Sequence, residues 1–170
     1  MVSSIFRGNL MADFEPKVRI TVPAYIQDIL NTDMYDFDLT KNKICNEIFF
    51  AFHQSHNEQA KRFRLQESTI LQFTLSNENL DLFIKLTDQV NFTNKAEFFR
   101  QMFFDYCSQP RYVRELSLNE KSIKLVNKAI KEQKQLRIRY KDGLRLVEPY
   151  ALLKSDNETR NYVYVYCHNK

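Results

Sequence analysis

The histidines and cysteines are the side chains best suited to bind a metal or to act in catalysis. His53 and His56 stand three residues apart, on one face of a helix, but no cysteine or carboxylate accompanies them at the spacing of metal ligands. Cys167 and His168 are adjacent, and adjacent side chains of a strand point to opposite faces, which does not suit a catalytic pair. We therefore expect no enzymatic activity, no metal site and no cofactor.

Composition excludes further classes of function. The chain has 170 residues, of which 44% are hydrophobic, so it can bury a core. Only two glycines and no Gly-x-Gly string occur, which argues against a phosphate-binding loop. The three cysteines (Cys45, Cys107 and Cys167) are far apart, a pattern typical of a reducing compartment. With no signal peptide and no run of about 18 apolar residues, we expect a cytoplasmic protein outside the membrane.

Two short stretches alternate polar and apolar side chains, the pattern of a strand with one buried face. The first spans residues 17–22 and is expected to end before Pro23, which lacks a backbone donor. The second spans residues 70–75. The side chains on the polar faces are Lys17, Arg19 and Thr21 in the first strand and Ile70, Gln72 and Thr74 in the second.

Each predicted strand is followed by two stretches of helical periodicity, so the order strand, helix, helix occurs twice. The copies align with a shift of 53 residues at the strands and at the caps Thr40 and Thr93, and of 54 within the helices. This spacing predicts an internal repeat in a mainly helical α+β fold. The alternative is that any two amphipathic segments align loosely.

A unit of one strand and two helices is too small to enclose its own core, so two such units must pair strand to strand. A two-stranded ribbon fits the major groove of DNA. The chain thus resembles the ribbon-helix-helix family of DNA-binding proteins over residues 17–55 and, more loosely, 70–107. The resemblance implies that the ribbon reads bases while the second helix of each unit holds phosphate at its amino end. It assigns DNA binding to Lys17, Arg19, Thr21, Gln72, Thr74, Thr40, Lys41, Thr93 and Lys95.

Two features depart from that family. Ile70 can offer only a methyl contact to thymine. Residues 1–110 hold 11 lysines and arginines against 14 acidic residues, which weakens attraction to phosphate. The alternative is an ordinary solvated strand face, with the second copy serving only as the pairing partner of the first.

The last third of the chain is strongly basic, with 14 lysines and arginines against 7 acidic residues in 111–170. Pro110 is expected to break the chain, and Ser117 and Glu120 stand at capping-box spacing ahead of a helix with a lysine-rich face. Residues 136–140 alternate apolar and basic side chains, which predicts a strand. Asp142-Gly143 after it is a hairpin signal, so a returning strand is expected over 144–147. A final strand is expected over 162–167. This pattern predicts a helix followed by a small antiparallel sheet.

Residues 119–168 resemble the opening of a WYL domain, a small Sm-like or SH3-like β-barrel. Asn161-Tyr162-Val163 stands at the place of the Trp-Tyr-Leu signature, and the chain reaches Lys170 before the remaining strands of a barrel. The family implies a ligand-sensing module behind a DNA-binding domain, in bacterial transcription factors and in regulators linked to phage defence and CRISPR systems.

The WYL resemblance also implies a nucleotide or single-stranded nucleic-acid ligand, held by Tyr140, Arg145 and Tyr162. Arginine forms fork-like contacts to phosphate, and tyrosine offers a face on which a base can stack. The alternative is that both tyrosines belong to a barrel core and that Arg145 is a surface charge.

The predicted organisation is a tail (1–16), a first ribbon-helix-helix unit (17–57), a linker (58–69), a second unit (70–108), a connector (109–118) and a partial WYL domain (119–170). The predicted function is a DNA-binding transcriptional regulator with a ligand-sensing module. Its expected partner is double-stranded DNA, and the prediction allows a homodimer. The alternative is an accessory protein that binds single-stranded nucleic acid or a protein partner through its basic C-terminal third.

Overall fold

The computed structural model of the chain describes residues 15–54, 67–89, 94–141, 143–154 and 160–168. The chain divides into two compact units, Met1–Ser108 and Gln109–Lys170. In the described residues the fold is α+β, with six helices and two small antiparallel sheets. None of these helices has the length and hydropathy to cross a membrane.

The first unit contains two strands and four helices in its described part. In chain order they are β1 (Lys17–Pro23), α1 (Ala24–Asp36), α2 (Lys41–Phe52), β2 (Ser68–Thr74), α3 (Asn77–Gln89) and α4 (Lys95–Ser108). β1 and β2 pair antiparallel, which confirms the predicted pairing and places it within one chain. We call this pair of strands the ribbon.

The inner face of the ribbon packs on the helices. Val18, Ile20 and Leu71 alternate onto this face and are buried, because successive residues of a strand point to opposite sides. The centre of the core is aromatic. Ring centroids of neighbouring phenylalanines lie 5.2 to 6.2 Å apart in the pairs Phe83–Phe99, Phe73–Phe99, Phe49–Phe99 and Phe49–Phe83. Both copies therefore contribute to a single core.

A buried hydrogen bond connects the two copies. The hydroxyl of Tyr106 in α4 donates to the carboxylate of Asp33 in α1 over 2.7 Å, and both side chains are fully buried. With the helix shift of 54 residues, the equivalent positions are Phe52 and Thr87. Their side chains cannot repeat the contact, so this polar link occurs between one pair of helices and not its counterpart.

Several element boundaries of the first unit differ from the prediction. β1 continues to Pro23, although proline lacks a backbone N–H. Alternate residues of an edge strand bond to its partner, and Ala24, the residue after Pro23, donates to the Glu67 carbonyl, so the nitrogen of Pro23 points away from β2. β2 begins at Ser68, two residues before the predicted strand. α2 ends at Phe52, and His53 and Gln54 follow it in a turn. The predicted tail and linker lie almost entirely outside the described residues.

The second unit is a helical pair followed by a sheet. Its elements are α5 (Arg111–Leu118), α6 (Glu120–Glu132), β3 (Leu136–Tyr140), β4 (Gly143–Lys154) and β5 (Asn161–Cys167). The strands pair antiparallel in the order β3-β4-β5. In the described part these three strands form an open sheet and not a closed barrel.

Helices α5 and α6 cover one face of this sheet. Ala129 of α6 and Val147 of β4 are buried on that side. Asn161, at the start of β5, donates to Glu115 and to the Tyr112 carbonyl of α5 over 2.8 to 2.9 Å. The ammonium of Lys154 lies 3.8 Å from the centre of the Tyr112 ring.

The expected break at Pro110 is present, because α4 ends at Ser108 and Pro110 is the N-cap of α5, where its φ of −56° suits the entry to a helix. Other local predictions in this unit differ from the structure. No capping box forms at Ser117, which lies inside α5 and donates to the Val113 carbonyl, while Asn119 precedes α6. The hairpin is present, but Tyr140 pairs with Gly143, so Gly143 belongs to β4 and not to the turn. β4 is also much longer than the four residues expected.

Candidate nucleic-acid interface

The outer face of the ribbon carries the six residues singled out by the alternation. Their strand partners across the ribbon are Lys17 with Thr74, Arg19 with Gln72, and Thr21 with Ile70. Five of these side chains are exposed and Thr21 is half-exposed, while the opposite face of both strands is buried. Directly paired strand residues share one face, so the structure brings all six together on a single surface.

The repeat shift predicted from the sequence and the observed register together define a pseudo-two-fold axis for the ribbon. With the strand shift of 53 residues, Arg19 and Gln72 are equivalent positions of the two copies, and they are also cross-strand partners. The same shift relates Lys17 to Ile70 and Thr21 to Thr74. Under this alignment, two of the three outward positions carry unlike side chains in the two strands.

An asparagine pair on α2 holds one end of the ribbon. The amide of Thr74 donates to Asn42 Oδ1 (3.1 Å), and its carbonyl accepts from Asn46 Nδ2 (2.9 Å). Asn46 Oδ1 also accepts from the Ser76 amide over 2.7 Å and from Asn79 Nδ2 over 2.9 Å. These bonds fix the last residue of β2 to the first turns of α2. Sequence reasoning missed this clamp, because it depends on contacts between residues about 30 positions apart.

The amino end of α2 is built as expected for a phosphate-binding helix start. Thr40 is the N-cap, as predicted, and its hydroxyl accepts from the Lys43 amide over 3.3 Å. Lys41 is exposed in the first turn. The first amides of a helix lack intrahelical acceptors and carry a partial positive charge, so this end can attract an anion.

The amino end of α4 differs from its counterpart. Asn94 caps α4 by accepting from the amides of Ala96 and Glu97 (3.0 and 3.2 Å), one residue after the predicted cap Thr93, which lies outside the described residues. Lys95 is half-buried, with its ammonium 5.4 Å from the centre of the Phe83 ring and 3.4 Å from the Glu15 carbonyl. Burial lowers the pKa of Lys95, with Glu15 acting against this shift. These contacts make Lys95 a poorer phosphate ligand than Lys41.

In the second unit, two of the three predicted ligand residues are in contact. The guanidinium of Arg145 lies 4.7 Å from the centre of the Tyr140 ring, and the ammonium of Lys141 lies 5.5 Å from it. The hairpin produces this cluster by placing the end of β3 beside the start of β4. Tyr140 is 48% exposed, so in the described structure it is not a core residue.

Tyr162 lies away from the cluster of Tyr140 and Arg145. It pairs with Leu153 near the end of β4, because β5 runs antiparallel to β4. The register also places it on the opposite face of the sheet from Arg145. Alternation gives Tyr164 and Tyr166 the same face as Tyr162, and all three are exposed.

Arginines share this second face. Arg137 and Arg139 of β3 pair with Leu146 and Leu144. These leucines lie on the same face of β4 as Glu148, the strand partner of Tyr166. Tyr150 at the bulge of β4 adds a ring whose centroid lies 6.1 Å from that of Tyr164. Basic and aromatic side chains thus line one side of the sheet.

The described histidines and the cysteines lie in ordinary surroundings, whereas His56, the predicted neighbour of His53, lies outside the described residues. His53 stacks near Phe49, with ring centroids 5.9 Å apart, and its Nδ1 is 2.7 Å from the Phe50 carbonyl oxygen. Burial raises the pKa of Cys45 to about 12, against a small opposite effect of Lys41. His168 contacts the Glu148 carboxylate at 2.8 Å. Over the described residues, histidines, cysteines and carboxylates form no group of three or more that could hold a metal ion.

Comparison with known proteins finds one family model that matches part of the chain. Residues 121–170 match the WYL domain, which agrees with the resemblance seen in the sequence. No curated protein and no solved structure matches the chain. WYL domains occur in regulators that sense ligands, and a regulatory role is consistent with this match.

Proposed function

We propose that this protein is a transcriptional regulator that inserts the ribbon into the major groove of duplex DNA and carries a WYL module that responds to a ligand. The observation that carries the proposal is the register of the ribbon. It collects Lys17, Arg19, Thr21, Gln72 and Thr74 on one exposed surface whose reverse side is anchored in a hydrophobic core.

The chemistry of that surface suits base reading. Arginine makes paired hydrogen bonds to guanine, glutamine makes them to adenine, and threonine contacts either base edges or the thymine methyl group. The N-terminus of α2, with Thr40 and Lys41, supplies a site for a phosphate beside the groove. Phosphate contacts fix the position of the protein on DNA, and the ribbon contacts supply the sequence preference.

The charge of the chain limits the strength of non-specific binding. Residues 1–110 carry a net charge of −3, from 11 basic and 14 acidic residues, so the ribbon unit gains little from counterion release. We therefore expect weak binding to random duplexes and a preference that depends on the contacts of Arg19 and Gln72.

A second candidate function rests on the other unit. Single-stranded nucleic acid binds by stacking its bases on aromatic rings within a positive field. This unit has 14 basic against 7 acidic residues, and one exposed face of its sheet carries Tyr164, Tyr166, Arg137 and Arg139. Under this proposal the protein is a non-enzymatic accessory factor, and the ribbon unit serves for assembly.

Binding of the full chain to random duplex, to a selected duplex, to single-stranded DNA and to RNA, each at two salt concentrations, separates the two functions. For a regulator, Arg19→Ala weakens binding to the selected duplex by about 1–3 kcal/mol, whereas Lys41→Ala weakens all duplexes alike and lowers the salt slope by about one. Small, equal effects of both substitutions on every duplex would contradict base reading.

The complementary variants lie in the second unit. The double variant Arg137→Ala and Arg139→Ala should weaken binding to single strands and leave the selected duplex unchanged. Arg145→Ala and Tyr162→Ala test the residues that the WYL resemblance assigns to a ligand. A folded variant with unchanged affinity for nucleotides and single strands would reduce those two side chains to structural roles.

A further inference from the structure

We propose that the ribbon of a single chain reads a non-palindromic duplex, with a guanine-containing half-site at one end and a half-site rich in A·T pairs at the other. This inference rests on the proposed function of the ribbon in duplex binding. It follows from the way the pseudo-two-fold axis relates unlike side chains.

A ribbon built from two identical strands presents the same side chain on both sides of its axis, so it favours DNA whose two half-sites are the same. Here two of the three equivalent positions differ. Lys17 is related to Ile70, and Arg19 to Gln72, while only Thr21 and Thr74 are alike. Lysine and arginine donate to guanine, glutamine pairs with adenine, and isoleucine can contact only the methyl group of thymine.

The antiparallel register then separates these chemistries in space. Lys17 lies beside Thr74 at one end of the ribbon, which offers an ammonium group and a hydroxyl. Thr21 lies beside Ile70 at the other end, which offers a hydroxyl and an exposed alkyl side chain. The first end suits guanine and the second suits the thymine methyl group, so no palindrome satisfies both.

The clamp on α2 adds a second asymmetry. Asn42 and Asn46 satisfy both backbone groups of Thr74 and thereby tie the Lys17–Thr74 end to the start of α2. With the helix shift of 54 residues, their equivalents in α4 are Ala96 and Arg100. Alanine has no polar side chain and arginine has no acceptor, so neither can receive a backbone N–H at the other end. We therefore expect the Lys17–Thr74 end to be held more firmly than the Thr21–Ile70 end.

The test is selection of binding sites by the full chain from a library of duplexes with a random central segment. We expect an enriched motif that is not palindromic. We further expect binding to its best member to be at least about tenfold tighter than to either palindrome made from one of its halves, equivalent to about 1.4 kcal/mol.

A symmetrised variant makes the test sharp. Ile70→Lys with Gln72→Arg gives both strands the set lysine, arginine, threonine, and both replaced side chains are exposed. This variant should select palindromes. The control, Asn31→Arg with Tyr35→Lys on the exposed side of α1, adds the same charge away from the ribbon and should retain the non-palindromic motif.

A second variant, Lys17→Ile with Arg19→Gln, gives both strands the set isoleucine, glutamine, threonine. It should also select palindromes.

The outcomes distinguish this inference from the function it rests on. A palindromic motif selected by the natural chain, or a non-palindromic motif retained by both folded symmetrised variants, would overturn the inference and leave duplex binding intact. Selection that enriches no duplex at low salt would overturn the proposed function as well.

Discussion

Replacing Tyr106 by phenylalanine tests the buried link between the two copies. Its hydroxyl donates to the Asp33 carboxylate over 2.7 Å, and neither side chain is exposed to solvent. Phenylalanine keeps the ring that packs edge-on against Phe52, with centroids 5.9 Å apart, so the substitution removes the hydrogen bond and little else. Loss of a donor to a buried carboxylate costs about 2 kcal/mol.

Thermal unfolding followed by circular dichroism measures this cost. For a unit of about 100 residues each kcal/mol corresponds to roughly 4–8 °C, so we expect a Tm lower by about 8–16 °C. Tyr35→Phe is the matched control, because Tyr35 is 89% exposed and its hydroxyl is not buried. A Tyr106→Phe variant that unfolds within about 0.5 kcal/mol of the natural chain, like the control, would refute a contribution of this bond to stability.

Three further predictions concern single residues. Gln133 ends α6 in the left-handed region with φ of 52°, so Gln133→Gly should raise the free energy of unfolding by about 0.5–1 kcal/mol, whereas Gln135→Gly in the extended segment beyond it should not. Hydrogen bonds from Gln135 and then His168 lower the pKa of Glu148 below its ordinary 4.5. The resulting stabilisation is present above pH 4.5 and is lost as the pH falls through the lowered pKa. The Tm of the natural chain should therefore exceed that of Glu148→Gln by less at pH 3 than at pH 6. Burial raises the pKa of Cys45 from 9.0 to about 12, which lowers the thiolate fraction at pH 8 by about a thousandfold. Alkylation of Cys45 at pH 8, followed by mass spectrometry, should therefore be slower in the native protein than in urea by about that factor, and equal rates would show that the thiol is accessible.

The ribbon could be predicted from sequence because its signal is local. Alternation with a period of two identified both strands, and the repeat spacing indicated their pairing, since neither copy can bury its own core. The exposure of Arg19 and Gln72 followed from the same alternation. Thr40 was also identified correctly, because a threonine ahead of a helical stretch is a strong start signal.

The parts that failed depend on competition between neighbours or on distant contacts. Thr93 and Asn94 are both good N-caps, and only the backbone geometry selects Asn94. Pro110 suits the end of one segment as well as the start of a helix, so the sequence did not indicate that α5 begins directly after it. The asparagine clamp on Thr74 joins residues far apart in the chain, and the periodicity of a sequence gives no information about such contacts.

The separation of Tyr162 from Arg145 has a different cause. The WYL resemblance grouped these residues by family pattern, whereas their positions depend on the register of β4 and β5. Since β5 runs antiparallel to β4, its first residues must lie beside the last residues of β4. The bulge at Pro149 and Ala151 lengthens β4 relative to its partner, a feature that the residue types alone do not indicate.

Pairing of β1 with β2 inside one chain changes how binding depends on the amount of protein present. A ribbon assembled from two molecules falls apart on dilution, so its occupancy of a site drops faster than its concentration. A tether keeps the two strands together at any concentration, since closing the ribbon is an intramolecular step. Occupancy should then follow a simple hyperbola with a Hill coefficient of one, and a few molecules per cell would bind with the same intrinsic affinity as many.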